Sequence, residues 1–204
     1  MVSPPRSLFV GVTGASGAPY ALRLVEKLAA ADRRIDLCIS DVGLDVVAYE
    51  LGLDAGGREG ITEAFLARAD ATGVTTVHRP GDLGASCSSG SAFPDAAVIC
   101  PCSLSTAAEI AVGSARTLIH RAASVALKER RPLVVLPREM PLSSIHLRRL
   151  LELSEAGAVV LPPMPAFYTR PQSVGDMVDF VVGKTLSLLG IEQDLYTAWG
   201  GGSG

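Results

Sequence analysis

The 204 residues suffice for one domain with a sizeable core and are too few for two domains with a linker. Hydrophobic residues make up 48% of the chain and charged residues 19%, so part of the apolar surface is expected to be buried between copies of a homo-oligomer. A net charge of −3 without any long basic run excludes the electrostatic footprint of a nucleic-acid or anionic-membrane binder, and neither partner is expected.

The segment from Met1 to Arg6, with Pro4 and Pro5, lacks the length and charge layout of a signal peptide or a membrane span. A cytoplasmic location is the expectation. The apolar run Leu8–Thr13 reads as a buried strand, and Val10-Gly-Val-Thr-Gly-Ala-Ser-Gly-Ala-Pro19 places Gly14 and Gly17 directly behind it. Pro19 then suits the first turn of a helix over Pro19–Ala31. A second strand over Ile35–Ser40 leads to helices over Val42–Leu51 and Ile61–Ala69, with Gly52–Gly60 between them outside the pattern. The long segment His78–Pro94 carries Ser86, Ser88, Ser89, Gly90 and Ser91, and is expected to be functional or disordered.

Strands over Ala96–Cys100, Leu133–Leu136 and Ala158–Leu161 alternate with helices over Ser103–Val112, Leu118–Arg130 and Ser143–Ala156. The proline-rich segment Pro162–Pro171, a helix over Ser173–Leu189 and a flexible tail over Gly200–Gly204 complete the chain. Apolar strands alternating with helices predict an α/β fold. The expectation is a single doubly wound Rossmann-like domain over 1–204, its mostly parallel sheet flanked by helices.

A strand, a glycine turn and a helix start within a few residues present free backbone N–H groups and the positive end of a helix dipole, to which Ser16 adds a hydroxyl. The spacing is not the G-x-G-x-x-G dinucleotide pattern and suits a mononucleotide such as FMN better than NAD. An ordinary strand-to-helix turn accounts for the same residues equally well. Further strand ends carry small polar groups or prolines: Ser40, the run Pro101-Cys-Ser-Leu-Ser-Thr106, Pro137-Arg138-Glu139 and Pro162-Pro163. For Ser103 and Thr106, helix capping competes with ligand binding. Arg138 and Glu139 directly follow a buried strand, where charges are expensive without a partner or ligand. Arg121 and Lys128 lie seven apart on one predicted helix face. That helix ends at the sheet edge away from the ligand crevice, so Lys128 could act only in a site completed by another subunit. On their own, Tyr168 and Lys184 read as a packed loop residue and a solvated helix residue.

The cysteines Cys38, Cys87, Cys100 and Cys102 lack C-x-x-C spacing, and His78, His120 and His146 lack H-x-x-x-H spacing, so no metal site is readable. Cys38, Cys100 and Cys102 read as small apolar filler at strand ends.

Five stretches stand in order: Thr-Gly-Ala-Ser-Gly-Ala at 13–18, Cys-Pro-Cys-Ser at 100–103, Arg-Ala-Ala-Ser-Val-Ala-Leu-Lys-Glu-Arg-Arg-Pro-Leu at 121–133, Arg-Glu-Met-Pro-Leu at 138–142 and Pro-Ala-Phe-Tyr at 165–168. Together they resemble the UbiX-type flavin prenyltransferases, within the wider group of homo-oligomeric flavin-containing cysteine decarboxylases. The resemblance spans about Ser7 to Trp199. It implies a metal-independent transferase that joins C1 of dimethylallyl monophosphate to N5 of reduced FMN and C3 to C6, releasing phosphate. It also implies contacts to FMN from Gly14, Ala15, Ser16, Ser40, Ser103, Leu104, Ser105, Thr106 and Arg138.

For the second substrate, the resemblance implies a phosphate held by Tyr168 and Lys184, with Arg121, Lys128, Arg138 and Glu139 completing the site. Ser16 and Glu50 would manage protons near N5 and C6, and Trp199 would offer an aromatic face to an allylic cation. Such a family member forms a homododecamer and hands prenylated FMN to a UbiD-type apo-decarboxylase. The chain departs from the pattern at Leu83, where some relatives carry tryptophan, at Met140, and at Lys184, where many carry arginine. A flavin-dependent cysteine decarboxylase is the nearest rival, but Pro162-Pro-Met-Pro165 lacks the asparagine of its Pro-x-Met-Asn motif. An aromatic-acid decarboxylase and a carrier that only binds FMN compete with it as well.

Overall fold

The computed structural model describes residues 4–196. Six parallel strands form one sheet in the order β3-β2-β1-β4-β5-β6: β1 Ser7–Val12, β2 Arg34–Ile39, β3 Thr75–His78, β4 Ala96–Cys102, β5 Leu133–Pro137 and β6 Val159–Val160. The helices are α1 Ala18–Ala30, α2 Asp41–Leu51, α3 Arg58–Arg68, α4 Leu104–Ala111, α5 Leu118–Lys128, α6 Ser144–Glu155 and α7 Val174–Leu188.

Because side chains alternate along a strand, β1 feeds two cores. Leu8, Val10 and Val12 face α1, α2, α3 and α7 on one side of the sheet. Phe9 joins α4, α5 and α6 on the other. This double cover explains why the central strands read as unbroken apolar runs.

The chain departs from the expected elements at both edges of the sheet. Strand β3 falls in a stretch where the sequence predicts no element, because Thr75-Thr-Val-His78 sits at the rim with its side chains half-covered or exposed. Helix α3 starts three residues before the expected Ile61, and β6 shrinks to two residues. The segment His78–Pro94 contains a 3-10 turn at Ser86–Ser88 whose Cys87 is fully buried. Among the described residues, no helix is long and apolar enough to cross a membrane.

Strand order reverses between β1 and β4, since β1 is followed through α1 by β2 on one side and lies beside β4 on the other. In open parallel sheets the crevice outside the carboxyl ends of the strands at such a reversal is where ligands bind. The glycine turn leaving β1 and the Ser103 turn leaving β4 flank that crevice.

Candidate active site

Three of the helices that begin at this edge flank the crevice, two of them capped by serine and one not. Ser40 caps α2, its Oγ accepting from the N–H of Gly43 at 3.0 Å. Ser103 caps α4, its Oγ accepting from the N–H of Thr106 at 3.2 Å and lying 3.0 Å from both Ser105 Oγ and Thr106 Oγ1. Capping and ligand binding both fit the sequence at these positions. The cap contacts are present, and the hydroxyl cluster of Ser103, Ser105 and Thr106 surrounds the same helix start.

Helix α1 begins without a side-chain cap of its own. Gly17 takes φ 129°, a conformation that strains any residue with a Cβ. A Cβ on Gly14 would lie 2.5 Å from Val42 Cγ1, so the turn packs directly against the start of α2. The two freed amides of α1 are filled from 33 residues away. Glu50 Oε2 accepts the N–H of Gly17 at 2.9 Å and that of Ala18 at 2.8 Å. The helix start expected to cradle an anion already holds one that belongs to the chain.

Burial alone would raise the Glu50 pKa. The Ser16 hydroxyl, the two amides and the positive charge of Arg138 outweigh it and hold the carboxyl below its ordinary value. Glu50, which reads in the sequence as a surface carboxylate, is thus an ionised group beside Ser16 at the crevice. Arg138 closes the ring of contacts, its Nε donating to the Ser16 carbonyl at 2.9 Å. Glu139 does not pair with it, and instead accepts the N–H of Met140 at 3.0 Å.

One contributor, Thr13, opens the Thr-Gly-Ala-Ser-Gly-Ala stretch, yet the sequence assigns it no role at the site. The Thr13 hydroxyl, 2% exposed, donates to the Pro101 carbonyl at 3.0 Å and accepts the N–H of Ser103 at 2.7 Å. It ties the end of β1 to the turn that starts α4, so the two sides of the crevice keep a fixed spacing. A threonine closing a buried strand is the signal that could have found it. Thr13→Val is expected to leave the Ser103 amide unpaired and destabilise the fold by ~1–3 kcal/mol, whereas Thr13→Ser stays close to the parent. Urea unfolding of both variants measures the difference.

The remaining expected residues do not all converge in one chain. Tyr168 and Lys184 line a hollow of about 220 Å³ with Leu161, Pro162, Phe180 and Tyr196. The Tyr168 ring meets Phe180 edge-on at 5.9 Å. Arg121 Nε donates to the Ser88 carbonyl at 3.2 Å, and Lys128 Nζ pairs with Glu129 at 2.9 Å. Lys128 ends α5 ahead of the start of β5 while Arg138 directly follows the end of that strand, so the length of β5, ~16 Å for five residues at about 3.3 Å each, separates the two ends of the sheet that they occupy. Lys128 therefore lies at the opposite edge of the sheet from the crevice of its own chain. Trp199 lies outside the described residues. All four cysteines are buried, and burial pushes every thiol pKa up, which makes them poor nucleophiles.

Comparison with known proteins extends over the whole fold. The flavoprotein family profile matches residues 2–186. The chain is 47% identical over 201 residues to the flavin prenyltransferase UbiX of Pseudomonas aeruginosa, covering 98% of this chain and 96% of that one. Among solved structures it is similar to AnUbiX (PadA1) in complex with FMN and dimethylallyl pyrophosphate, with 37% identity and a TM-score of 0.86. That match covers 98% of this chain and all of the other. It is also similar to a dodecameric FMN-dependent UbiX-like decarboxylase from Escherichia coli O157:H7, with 40% identity, a TM-score of 0.84, and coverage of 96% and 100%.

Proposed function

The chain belongs to the flavoprotein family, among its UbiX flavin prenyltransferases, and from that membership we propose that it joins the dimethylallyl group of dimethylallyl monophosphate to N5 and C6 of reduced FMN. The observation that carries this reading is the meeting of three helix starts, their serine hydroxyls, Arg138 and the ionised Glu50 at one strand-end crevice. Hydroxyl and amide donors with one guanidinium are the chemistry that a phosphate monoester and a polar ring edge require. Gly14 has no room for a side chain, which would run into Val42, so the turn between β1 and α1 closes as bare backbone against the start of α2. FMN therefore fits the residues present.

Reduced FMN, when bound, supplies the nucleophilic N5 and C6. Gly14, Ala15, Ser16, Ser40, Ser103, Leu104, Ser105, Thr106 and Arg138 hold and orient it. Arg138 fixes the Ser16 backbone and turns its remaining N–H donors toward the departing phosphate, where charge develops as the allylic C–O bond breaks. Glu50, held ionised, would take up, by way of the Ser16 hydroxyl that bonds its carboxylate, the proton released as the new bond forms. Tyr168 and Lys184 bind the phosphate of the second substrate. Lysine there keeps the charge and gives up the bidentate fork of an arginine. Trp199 supplies the aromatic face.

Arg121, Lys128 and Glu139 complete the phosphate pocket, with Arg121 and Lys128 reaching it from a second copy of the chain. Exposed apolar side chains on and around α6, among them Ile145 at 65%, Leu151 at 57% and Met140 at 81%, provide surface for such an assembly, which we propose to be a dodecamer. The product passes to a UbiD-type apo-decarboxylase.

Lys128→Ala tests the shared site. Turnover is expected to fall about a hundredfold, the scale of one charge removed from a developing anion, while FMN stays bound. Flavin content by absorbance and turnover by product mass separate the two effects. Lost FMN with unchanged turnover per bound flavin would assign Lys128 to the other pocket.

A further inference from the structure

Outside the crevice, one cluster combines three metal-ligating side chains from three separate elements. His78, the last residue of edge strand β3, lies with its Nε2 2.6 Å from Asp36 Oδ1 on β2. Cys87, on the 3-10 turn at Ser86–Ser88, brings its Sγ to the same point. The Asp36, His78 and Cys87 ligand atoms all lie within 4.8 Å of one another. The His78 and Asp36 side chains are only 10% and 23% exposed, and Cys87 is fully buried. Cys38 stands two residues beyond Asp36, on the same face of β2, and packs in the same apolar cluster as Cys87.

We propose that Asp36, His78 and Cys87 form a zinc site that staples the sheet edge, with water as the fourth ligand. Carboxylate, imidazole and thiolate are the ligand types zinc takes, at about 2.0–2.2 Å for oxygen and nitrogen and about 2.3 Å for sulfur. Tetrahedral ligands at those lengths stand about 3.3–3.8 Å apart. The Asp36–His78 contact must therefore open by under ~1 Å, within the reach of side-chain rotation. A hollow of about 730 Å³ lined by Asp36, Thr76 and Ser86 opens to one of the three ligands, Asp36, and to the neighbour of Cys87. Binding transfers the Cys87 thiol proton to solvent, and no electron moves.

The ion would have a structural task. Among the described residues, strand β3 is the rim of the sheet and pairs only with β2. The segment that follows it returns to the sheet through Cys87, so one ion would fasten β2, β3 and that segment together. The chemistry at the crevice does not pass through it. Sequence spacing hides such a site, because its ligands come from three elements and His78 stands 42 residues from Asp36.

The test is titration of the purified, chelator-treated full chain with cobalt(II) alone. The expected result is one cobalt per chain with a thiolate-to-cobalt charge-transfer band, displaced by zinc, together with a zinc-dependent rise in melting temperature. Cys87→Ser should abolish the band, and His78→Gln and Asp36→Asn should each weaken binding at least ~10-fold. FMN binding by each variant reports that it has folded. Should Cys87→Ser fail to fold, the His78 and Asp36 variants carry the test. Absence of the band in the parent chain would overturn the site, as would cobalt bound equally well by Cys87→Ser or by both of the remaining variants.

Discussion

Arg138→Ala is expected to lower the rate of prenyl transfer at saturating FMN by ~10²–10³-fold, the range seen when a donor to a developing anion is removed. Two losses combine in that figure. The guanidinium no longer faces the departing phosphate, and the Ser16 carbonyl loses the 2.9 Å hydrogen bond that fixes the turn beside Glu50. Arg138→Lys separates them, since an ammonium keeps the charge but not the planar fork. Intermediate turnover is expected for lysine, and FMN affinity should fall in both variants, less for lysine, because Arg138 also belongs to the FMN contacts. If alanine and lysine variants turn over alike, the role of Arg138 is positional and the leaving phosphate draws its charge from elsewhere. Rates at saturating FMN, alongside FMN titrations, make the distinction.

Glu50→Gln has the second large effect. The glutamine carbonyl can still accept the amides of Gly17 and Ala18, so the start of α1 should survive, while the charge and the capacity to carry a proton are lost. Turnover should drop by ~10²–10⁴-fold, the contribution of one positioned acid–base group. The pH dependence follows from the sign of the shift. Glu50 is held below its ordinary value, so its carboxylate is already formed at the pH where a free glutamate would still be titrating.

The acid limb of the parent's rate profile should therefore lie at lower pH than an ordinary glutamate would give, and Glu50→Gln should lack it. The same shift stabilises the fold above the unfolded carboxylate pKa, and that stabilisation disappears as pH falls through the folded value. The parent should thus lose more stability than Glu50→Gln on acidification. A rate profile that is unchanged in shape, merely scaled down, would remove Glu50 from the proton path.

The legible parts of this fold are those where burial on both sides forces a continuous apolar run. Strands β1, β2, β4 and β5 can be read because Val10, Leu37, Val98 and Val134 belong to strands covered from either face. Strand β3 cannot, since Thr75-Thr-Val-His78 is covered on neither side well enough to show a pattern. At the site, Ser40, Ser103 and Arg138 are visible because they directly follow strands. Glu50 is visible only through the family resemblance, since its partners lie 33 and 32 residues away and local spacing carries no trace of them. Thr13 passes as the end of a strand because one residue type does not announce which buried carbonyl it will meet. The position of Lys128 follows from topology alone, and the sheet places it at the far edge.

These results share one premise, that the crevice brings a reduced flavin and an allylic phosphate together for bond formation and does not merely store the flavin. Anaerobic incubation of the protein with reduced FMN and dimethylallyl monophosphate, followed by mass analysis of the extracted flavin, addresses it directly. The account predicts a flavin heavier by about 68 mass units, one five-carbon prenyl group. A flavin recovered bound but unchanged in mass would contradict it and mark the protein as a carrier.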